Sequence, residues 1–551
     1  MSDFHEDLSL FLKEKEKKEE NLEARLLKVF SETEAKELGL PLSVYPHMLR
    51  GLPRFYDREN PAKSLVKPAF KNLNSLKRHW IEKAIFSLYQ DVQIPASTLS
   101  LFTWVMNDGM GDYYAQKEAE EIIKGRFPQV TIQRLSFLPR ETALEPPHYC
   151  IYYDKGEDLT WEKIEGFLPL LKTSQLVLQM PTYFPDTPKL LEKIQDYKPP
   201  KYELLGEYGF VDSKWCHPGT GYRSLGLHFL EKGLLIQEIA PKDLSRLPKE
   251  LKEILFKEGI ATYQEKIALN AGYLSSVEGA FAALIALLKK REKDPKPMDL
   301  VLANFSCMLG ALEKYIEKDG AYPLLQKFGI KEVEIYYEGS LCKMNVQAEG
   351  KRLRLIQAKN LTPSDFGSLF YHSQDFVICR GDRSFSEAVS LKKVFFYDPP
   401  YHSKNFLKDL GALAENRIGR GKGAAEYIRL FYHLLPAKPD SGDRFVEEDF
   451  FFERNFSIQE IGERMGELLS SPDTINDLQK LNSILIADYS ANDYLCQLVA
   501  RSLLHYYHPE MLRIEESLVR EFLEDKITFS VMITELRDYL TPFRNVGQYP
   551  S

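Results

Sequence analysis

Cysteine pairs, long apolar runs and a secretory leader are all missing from this sequence. The six cysteines are scattered over 551 residues without a C-x-x-C pair, which argues against a structural zinc site and against a disulfide framework. The longest apolar run, Ala280 to Leu288, is far shorter than the roughly 20 residues that span a bilayer. The segment from Met1 to Ala24 is rich in Glu and Lys and has no apolar core. We therefore predict a cytoplasmic protein without a membrane span.

The charge pattern excludes two further classes of site. The formal net charge is −8, so the chain lacks the overall basic character that is typical of nucleic-acid-binding proteins. The eleven histidines show no H-x-H or H-x-x-x-H spacing, and no metal site is predicted. With 44% hydrophobic and 28% charged residues, the composition is that of an ordinary globular protein.

The pattern along the chain predicts an α/β protein with two Rossmann-like lobes between two helical regions. Short apolar runs alternate with helical patterns, which favours parallel sheets. We place a helical extension at 1–97, a first lobe at 98–293, a second lobe at 294–410 and a helical region at 411–551. Lys293 to Pro297 is the predicted linker between the lobes, and Ser457 with Glu460 forms a capping box that opens a helix through Leu469.

The first candidate for chemistry is the turn D-G-M-G-D, from Asp108 to Asp112. It follows the apolar run Leu101 to Met106 and precedes a helix that we expect to end at Gly125. Asp112 at a helix start fits an N-cap. The alternatives are that the two carboxylates of the turn bind a cationic acceptor or that one acts as a general base. G-x-G-x-x-G is absent, so the turn is not a dinucleotide-binding fingerprint.

The second candidate is R-G-D-R-S, from Arg380 to Ser384, which follows the apolar strand Phe376 to Cys379. Ser384 and Glu387 fit a capping box. The alternative is an anion site, because a helix N-terminus and two arginines suit phosphate oxygens. Gly381 permits close approach of a ligand to the backbone, and a carboxylate one turn into the helix can bind a ribose diol.

The region from Leu355 to Leu410 resembles the second lobe of GT-B glycosyltransferases, in which an R-G-x-x-[ST]-x-x-E segment is followed by an apolar strand and a proline loop. Here that strand and loop run from Val394 to Pro400. Within the superfamily the chain is most similar to the protein-arginine rhamnosyltransferases that modify elongation factor P. Those enzymes have D-N-x-G-D in the first lobe and R-G-E-D-S in the second. This chain departs from them at Gly109, Asp382 and Arg383.

The resemblance implies a glycosyltransferase of the hexosyltransferase type that moves a sugar from a nucleotide-diphosphate sugar to an acceptor, including a protein side chain. Asp112 would be the general base, supported by Asp108. The donor-binding residues would be Arg380, Gly381, Asp382, Ser384 and Glu387. No permanently bound cofactor and no metal is expected, since GT-B enzymes stabilise the leaving diphosphate with a helix dipole and basic groups. Arg383 in place of Asp puts a rhamnose donor in doubt.

Two tyrosines are assigned to the acceptor side or the cleft. Tyr208 lies in a glycine-rich stretch that is equally typical of an ordinary loop. Tyr273 is in Asn270 to Leu274, which we expect to open the last helix of the first lobe, where a core position is the alternative. Two other functions fit the same fold: a sugar-nucleotide epimerase or hydrolase, and a GT-B-like binding protein without activity.

Overall fold

The computed structural model describes residues 81–82, 84–105, 111–139, 149–154, 164–180, 187–194, 200–206, 208, 221–227, 231–237, 243–257, 259–317, 321–359, 361–400, 403–436, 456–524 and 526–544. Most of the predicted N-terminal extension, together with Asp108 and Gly109, lies outside these residues.

Six parallel strands form the first sheet, in the order β3-β2-β1-β4-β5-β6. They are β1 (Ser97–Trp104), β2 (Val130–Pro139), β3 (Tyr149–Tyr153), β4 (Leu176–Gln179), β5 (Lys201–Gly206) and β6 (Gly221–Ser224). The connecting helices include α1 (Gly111–Arg126), α2 (Leu168–Thr173) and α3 (Thr187–Ile194). All four residues of β4 are buried, as expected of a parallel strand with both faces covered. This strand order is that of the Rossmann fold.

Seven strands form the second sheet, in the order β10-β9-β11-β8-β7-β12-β13. They are β7 (Ala268–Gly272), β8 (Met298–Leu302), β9 (Ile330–Tyr337), β10 (Ser340–Asn345), β11 (Lys351–Gln357), β12 (Val377–Cys379) and β13 (Phe395–Tyr397). Among the described strands of this sheet, only the edge strand β10 is antiparallel to its neighbour. The helices of this half are α4 (Lys249–Leu255), α5 (Ile260–Lys266), α6 (Val277–Lys290), α7 (Ser306–Ala311), α8 (Ala321–Lys327), α9 (Pro363–His372) and α10 (Gly381–Ser390). The predicted α/β class with two Rossmann-like lobes is confirmed.

Helices fill the described part of the chain after β13. They are α11 (Lys404–Arg417), α12 (Gly423–Leu430), α13 (Ile458–Leu469), α14 (Pro472–Asp488), α15 (Asn492–Tyr507), α16 (Pro509–Leu523) and α17 (Phe529–Leu540). The predicted capping box at Ser457 and Glu460 is present and opens α13. A Cβ at Gly462 would lie 2.7 Å from Cβ of Ile285, so glycine allows α13 to pack closely against α6.

These helices join the two halves of the molecule. Asn482 of α14 donates to the carbonyl of Lys393, beside the second sheet, at 2.8 Å. Ser502 of α15 donates to Oε1 of Glu203 in the first sheet at 3.1 Å. The C-terminal region therefore holds both sheets in one arrangement.

The predicted linker and the predicted helix around Tyr273 are wrong. Ala268–Gly272 is a strand at the centre of the second sheet, and the following helix begins only at Val277. Lys293 to Pro297 therefore connects α6 to β8 within one half, and the sheets divide before Ala268. Alanine, asparagine and glycine have little strand preference of their own. Pairing with the neighbouring strands β8 and β12 therefore makes this segment a strand.

Candidate active site

The first candidate site is the carboxyl end of the first sheet, between β1 and β4. The chain leaves β1 toward β2 on one side and later returns to β4 on the other, so this is the point where the strand order reverses. Ligands of open α/β sheets bind in the crevice at such a point. Asp112 lies here, half-buried in the first turn of α1.

Asp112 is inside the helix instead of before it. α1 begins at Gly111 and continues through Gly125 to Arg126, so the predicted helix end at Gly125 is wrong and Asp112 is not the N-cap. A carboxylate in the first turn interacts favourably with the helix dipole. Its neighbours Tyr113 and Tyr114 form an edge-to-face pair with ring centroids 5.2 Å apart.

The strand order of the second sheet reverses between β7 and β12. The two strands approach closely, because a Cβ at Gly272 would lie 2.3 Å from Cβ of Ile378. Immediately after β7, the backbone N–H of Tyr273 donates to the carbonyl of Ile378 at 3.0 Å. Tyr273 is half-buried at this end of the sheet, and its role toward a ligand remains a prediction.

Helix α10 begins at this second reversal point. Arg380 is the N-cap in an extended conformation, and its side chain makes no capping hydrogen bond. Gly381 has φ +73°, and a Cβ placed on it would meet nothing within 4 Å. The backbone therefore turns in a left-handed conformation that suits glycine and leaves open space at the helix start.

The capping box predicted from Ser384 and Glu387 is wrong. Since α10 starts at Gly381, Ser384 lies in its first turn. There its hydroxyl accepts from the N–H of Arg380 at 2.8 Å and donates to the carbonyl of Arg380 at 2.6 Å. Ser384 thus holds Arg380 in place. Glu387 is buried in the second turn, with 7% of its surface exposed.

The start of α10 carries two charged side chains, Arg380 at the N-cap and Asp382 in the first turn. Arg380 is half-buried and forms no ion pair within the described residues. It lies near Cys307 in the first turn of α7. Burial raises the pKa of the Cys307 thiol, and Asp398 raises it further, while Arg380 acts in the opposite direction. An uncapped helix N-terminus beside an unpaired guanidinium is suited to bind an anion.

At the start of the neighbouring helix α6, the backbone N–H groups already bind a carboxylate, that of Asp398. Asp398, which follows β13, accepts from the N–H groups of Ser275 and Ser276 at 2.6 and 3.0 Å, and from both hydroxyls. A Cβ at Gly279 would lie 2.2 Å from Oδ1 of Asp398. Asp398 is a functional residue that the sequence motifs do not reveal, and its position directly after an apolar strand is the one signal for it. Of these two helix starts, α10 is the one open to an external anion.

Tyr208 connects the halves instead of facing a substrate. Only 4% of its surface is exposed. Its N–H donates to Oδ2 of Asp382 at 2.8 Å, and its hydroxyl is 2.6 Å from Oγ of Ser386. Asp382 and Ser386 both belong to α10, so this helix is fixed to the loop after β5. A side chain this buried does not face an acceptor, and the assignment of Tyr208 to the cleft between the lobes stays a prediction.

A second contact between the halves joins α10 to α1. The guanidinium of Arg383 lies 4.2 Å from the ring centroid of Tyr114. One turn further along α1, Oε2 of Glu118 accepts from Nε2 of Gln237 at 2.8 Å. The N–H of Gln237 donates to Oγ of Ser390 at 3.0 Å, at the end of α10. Helices α1 and α10, which begin at the two reversal points, therefore pack against each other.

The structure was searched for metal-ligand clusters and for membrane-spanning helices over its described residues. The described residues include no group of three or more His, Cys, Asp or Glu side chains placed to hold a metal ion. No helix in the described ranges has both the length and the apolar character needed to cross a membrane.

No family model and no curated protein matches the chain. Similar solved structures include the trehalose-6-phosphate phosphatase N-terminal domain of Candida albicans, at 7% identity and TM-score 0.39, covering 75% of this chain and 97% of that one. A glycosyl transferase family 9 protein from Veillonella parvula has 9% identity and TM-score 0.31, with 56% and 82% covered. The UDP-GlcNAc 2-epimerase from Neisseria meningitidis, bound to UDP-GlcNAc, has 11% identity and TM-score 0.34, with 71% and 98% covered. TM-scores this low do not establish a common fold or function, and the two strand orders carry the fold assignment.

Proposed function

We propose that this protein is a GT-B-type glycosyltransferase that transfers a sugar from a nucleotide-diphosphate donor to an acceptor bound against the first sheet. The observation that carries the proposal is the unpaired Arg380 at the uncapped start of α10. Helix α10 packs against α1, which carries Asp112 in its first turn.

The diphosphate of the donor would lie at the start of α10. Backbone N–H groups and the helix dipole favour negative charge there, and Gly381 leaves room for close approach. Arg380 can form charge-assisted hydrogen bonds to phosphate oxygens. Ser384 would act by holding Arg380, while Glu387 would bind the ribose.

In the reaction, an acceptor hydroxyl or amino group attacks the anomeric carbon of the donor. A bond forms from the acceptor atom to that carbon, the bond from the carbon to the diphosphate oxygen breaks, and Asp112 takes the proton from the acceptor. The nucleoside diphosphate leaves with the bonding electron pair toward the start of α10, where the helix and Arg380 stabilise the developing charge. These groups supply that stabilisation without a metal ion.

The finer resemblance to elongation factor P rhamnosyltransferases rests on the D-x-x-G-D and R-G motifs. Arg383, which departs from that family, lies against Tyr114 of the other half. Arg383 in place of Asp therefore affects the contact between the halves. Because this departure does not exclude a rhamnose donor, the donors to be tested include a nucleotide-rhamnose.

A thermal-shift screen with nucleotide sugars and free nucleotides tests the donor site. A ligand at 100 times its Kd adds about 2.7 kcal/mol to the stability. Arg380→Gln should abolish most of the shift, whereas Arg246→Gln, at an exposed arginine, should leave it unchanged. An equal shift in wild-type protein and Arg380→Gln would contradict the placement of the diphosphate.

Product analysis with the donor found in that screen separates the three functions. A glycosylated acceptor supports transfer, an epimerised or hydrolysed donor supports the alternative enzyme, and binding without turnover supports a binding protein. Transfer should continue in saturating EDTA, and loss on chelation that Mg²⁺ or Mn²⁺ restores would show a metal requirement.

A further inference from the structure

Arg383 is an arginine in the contact between the halves whose charge is not fully satisfied. Its guanidinium lies on the face of Tyr114, and it forms no ion pair with a described carboxylate. Its Nη1 is buried without a hydrogen-bond partner among the described residues. Burying an N–H of a charged group without a hydrogen bond costs free energy. A hydrogen-bond acceptor for Nη1 of Arg383 would therefore stabilise this contact.

Glu118, on the opposite helix α1, has a carboxyl oxygen without a hydrogen-bond donor among the residues that the structure describes. It lies four residues after Tyr114 and therefore on the same side of α1, with 6% of its surface exposed. Oε2 accepts from Gln237, while Oε1 is buried without a hydrogen-bond partner in the described part of the chain. One helix thus presents an unsatisfied cation and the other an unsatisfied carboxyl group.

The surroundings of Glu118 hold it in the protonated form. Burial raises its pKa to about 8, Glu387 and Glu121 act in the same direction, and Arg383 and the bond from Gln237 act against them. Burial raises the pKa of Tyr208, and Asp382 and Glu118 act in the same direction, so Tyr208 is also close to this carboxyl group. The groups around Glu118 are therefore Arg383 and Glu387 from α10, Glu121 from its own helix, and Gln237 and Tyr208 from the connecting segments.

A hydrogen bond between Nη1 of Arg383 and Oε1 of Glu118 would satisfy both groups at once. Arg383 is three residues after Arg380, so a ligand that draws on the start of α10 moves Arg383 with it. The partner helix carries Glu118 and, at its own start, Asp112. Contact between Arg383 and Glu118 would thus set the separation between the donor end of one helix and the acceptor end of the other.

We infer that Arg383 is a positioning residue that forms an ion pair with Glu118 when the donor site fills and thereby holds α10 against α1. The inference rests on the proposed donor site. Because the pair needs an ionised carboxylate, its formation releases the proton of Glu118, and donor binding is coupled to pH.

The test is the affinity for UDP measured by calorimetry between pH 7 and pH 9. Ligand binding that releases one proton strengthens as the pH rises, by at most about 10-fold per pH unit, and levels off above the pKa of the free group. Wild-type protein should show this rise up to about pH 8. Glu118→Gln cannot release a proton and should lack the rise, while ionisation of the UDP phosphate is common to both proteins and cancels. Glu121→Gln, at an exposed carboxylate of the same helix, should keep it.

Substitutions of Arg383 separate positioning from folding. Arg383→Gln should lose the pH dependence, and Arg383→Lys should restore part of it, since lysine keeps the charge but not the planar group that lies on Tyr114. In the double variant Glu118→Gln/Arg383→Gln, the losses of affinity should be less than additive, as expected of directly coupled residues. If the arginine variants do not fold, Glu118→Gln decides alone.

The outcomes distinguish this inference from the proposed function. If UDP, GDP and dTDP all fail to bind wild-type protein, the donor site is wrong and the ion pair falls with it. If the nucleotide binds and Glu118→Gln keeps the wild-type pH dependence, the donor site stands and the ion pair is overturned. For a nucleotide other than UDP, the same titration applies with that nucleotide.

Discussion

The N–H of Tyr208 donates a hydrogen bond of 2.8 Å to Oδ2 of Asp382, and this bond joins the loop after β5 to the first turn of α10. An aspartate at such a position can serve a bound sugar, but here its carboxylate already holds the other half of the molecule. The expected donor-binding role of Asp382 is thus combined with, or replaced by, a role in fixing the helix that carries Arg380.

Tyr208→Phe should destabilise the protein by about 1–3 kcal/mol. The change removes the hydroxyl that is 2.6 Å from Oγ of Ser386 and accepts from the N–H of Leu235 at 3.3 Å, so buried polar groups lose their partner. Urea unfolding measures the loss. Hydrogen exchange should show weaker protection of α10.

Tyr202→Phe is the matched control, because the hydroxyl of Tyr202 is also buried but donates to Gln179 within the first sheet at 2.6 Å. It should lower the stability without affecting α10. Equal loss of protection in α10 for both variants would show that Tyr208 has no special part in joining the halves.

Gly381→Ala should weaken nucleotide binding and cost about 1–2 kcal/mol of stability, the usual penalty for an L-residue in the left-handed conformation. The cause is φ +73° alone, since a Cβ there meets nothing within 4 Å. Gly125→Ala provides the contrast: Gly125 lies inside α1 with open space around a Cβ, and alanine should stabilise the helix by about 0.5–1 kcal/mol. Chemical denaturation measures both, and a stabilised Gly381→Ala would contradict the strained turn.

Much of the fold could be predicted because its strands are apolar and end at recognisable turns. The strands predicted to begin at Phe376 and at Val394 each begin one residue later in the structure, as β12 and β13. Ala268–Gly272 could not be recognised, because a five-residue segment of small residues and one asparagine has no strand preference before the second sheet forms around it. Because this strand is not recognised, the predicted boundary between the halves lies about one helix and one strand too late in the sequence.

The site was predictable only in part, for a similar reason. The motif around Gly381 has a local cause, a tight turn between a strand and a helix, and the structure places it at the reversal point of the second sheet. Contacts such as Tyr208 with Asp382, or Arg383 with Tyr114, join residues far apart in sequence. No spacing rule reports such contacts, so the sequence alone does not reveal that Tyr208 and Arg383 join the two halves.

The stability of wild-type protein should contain a contribution from Glu118 that falls as the pH rises. Burial raises the pKa of Glu118 from 4.5 to about 8, so between these values the folded state holds a proton that the unfolded state has lost. The contribution is complete below about pH 4.5, declines up to about pH 8 and is constant above.

Glu118→Gln removes this contribution, so its stability relative to wild type should increase from pH 5 to pH 8. Denaturation at several pH values gives the difference directly, and the other titrating groups cancel. Glu121→Gln should show a nearly constant difference. A constant difference for Glu118→Gln as well would mean that Glu118 is ionised in the folded protein at neutral pH.

Asp112→Asn separates catalysis from architecture at the start of α1. Asp112 lies in the first turn of the helix, where asparagine keeps an acceptor oxygen but loses the charge that interacts with the helix dipole, a difference of about 0.3–1 kcal/mol. An amide cannot accept the proton of the acceptor, and general bases contribute about 10²–10⁴-fold. We therefore expect near-parental melting, normal nucleotide affinity and sugar transfer slowed at least about 100-fold, measured with the donor and acceptor found by product analysis. Transfer close to the wild-type rate would assign Asp112 to the helix start alone, and Asp108 would then be the next base to substitute.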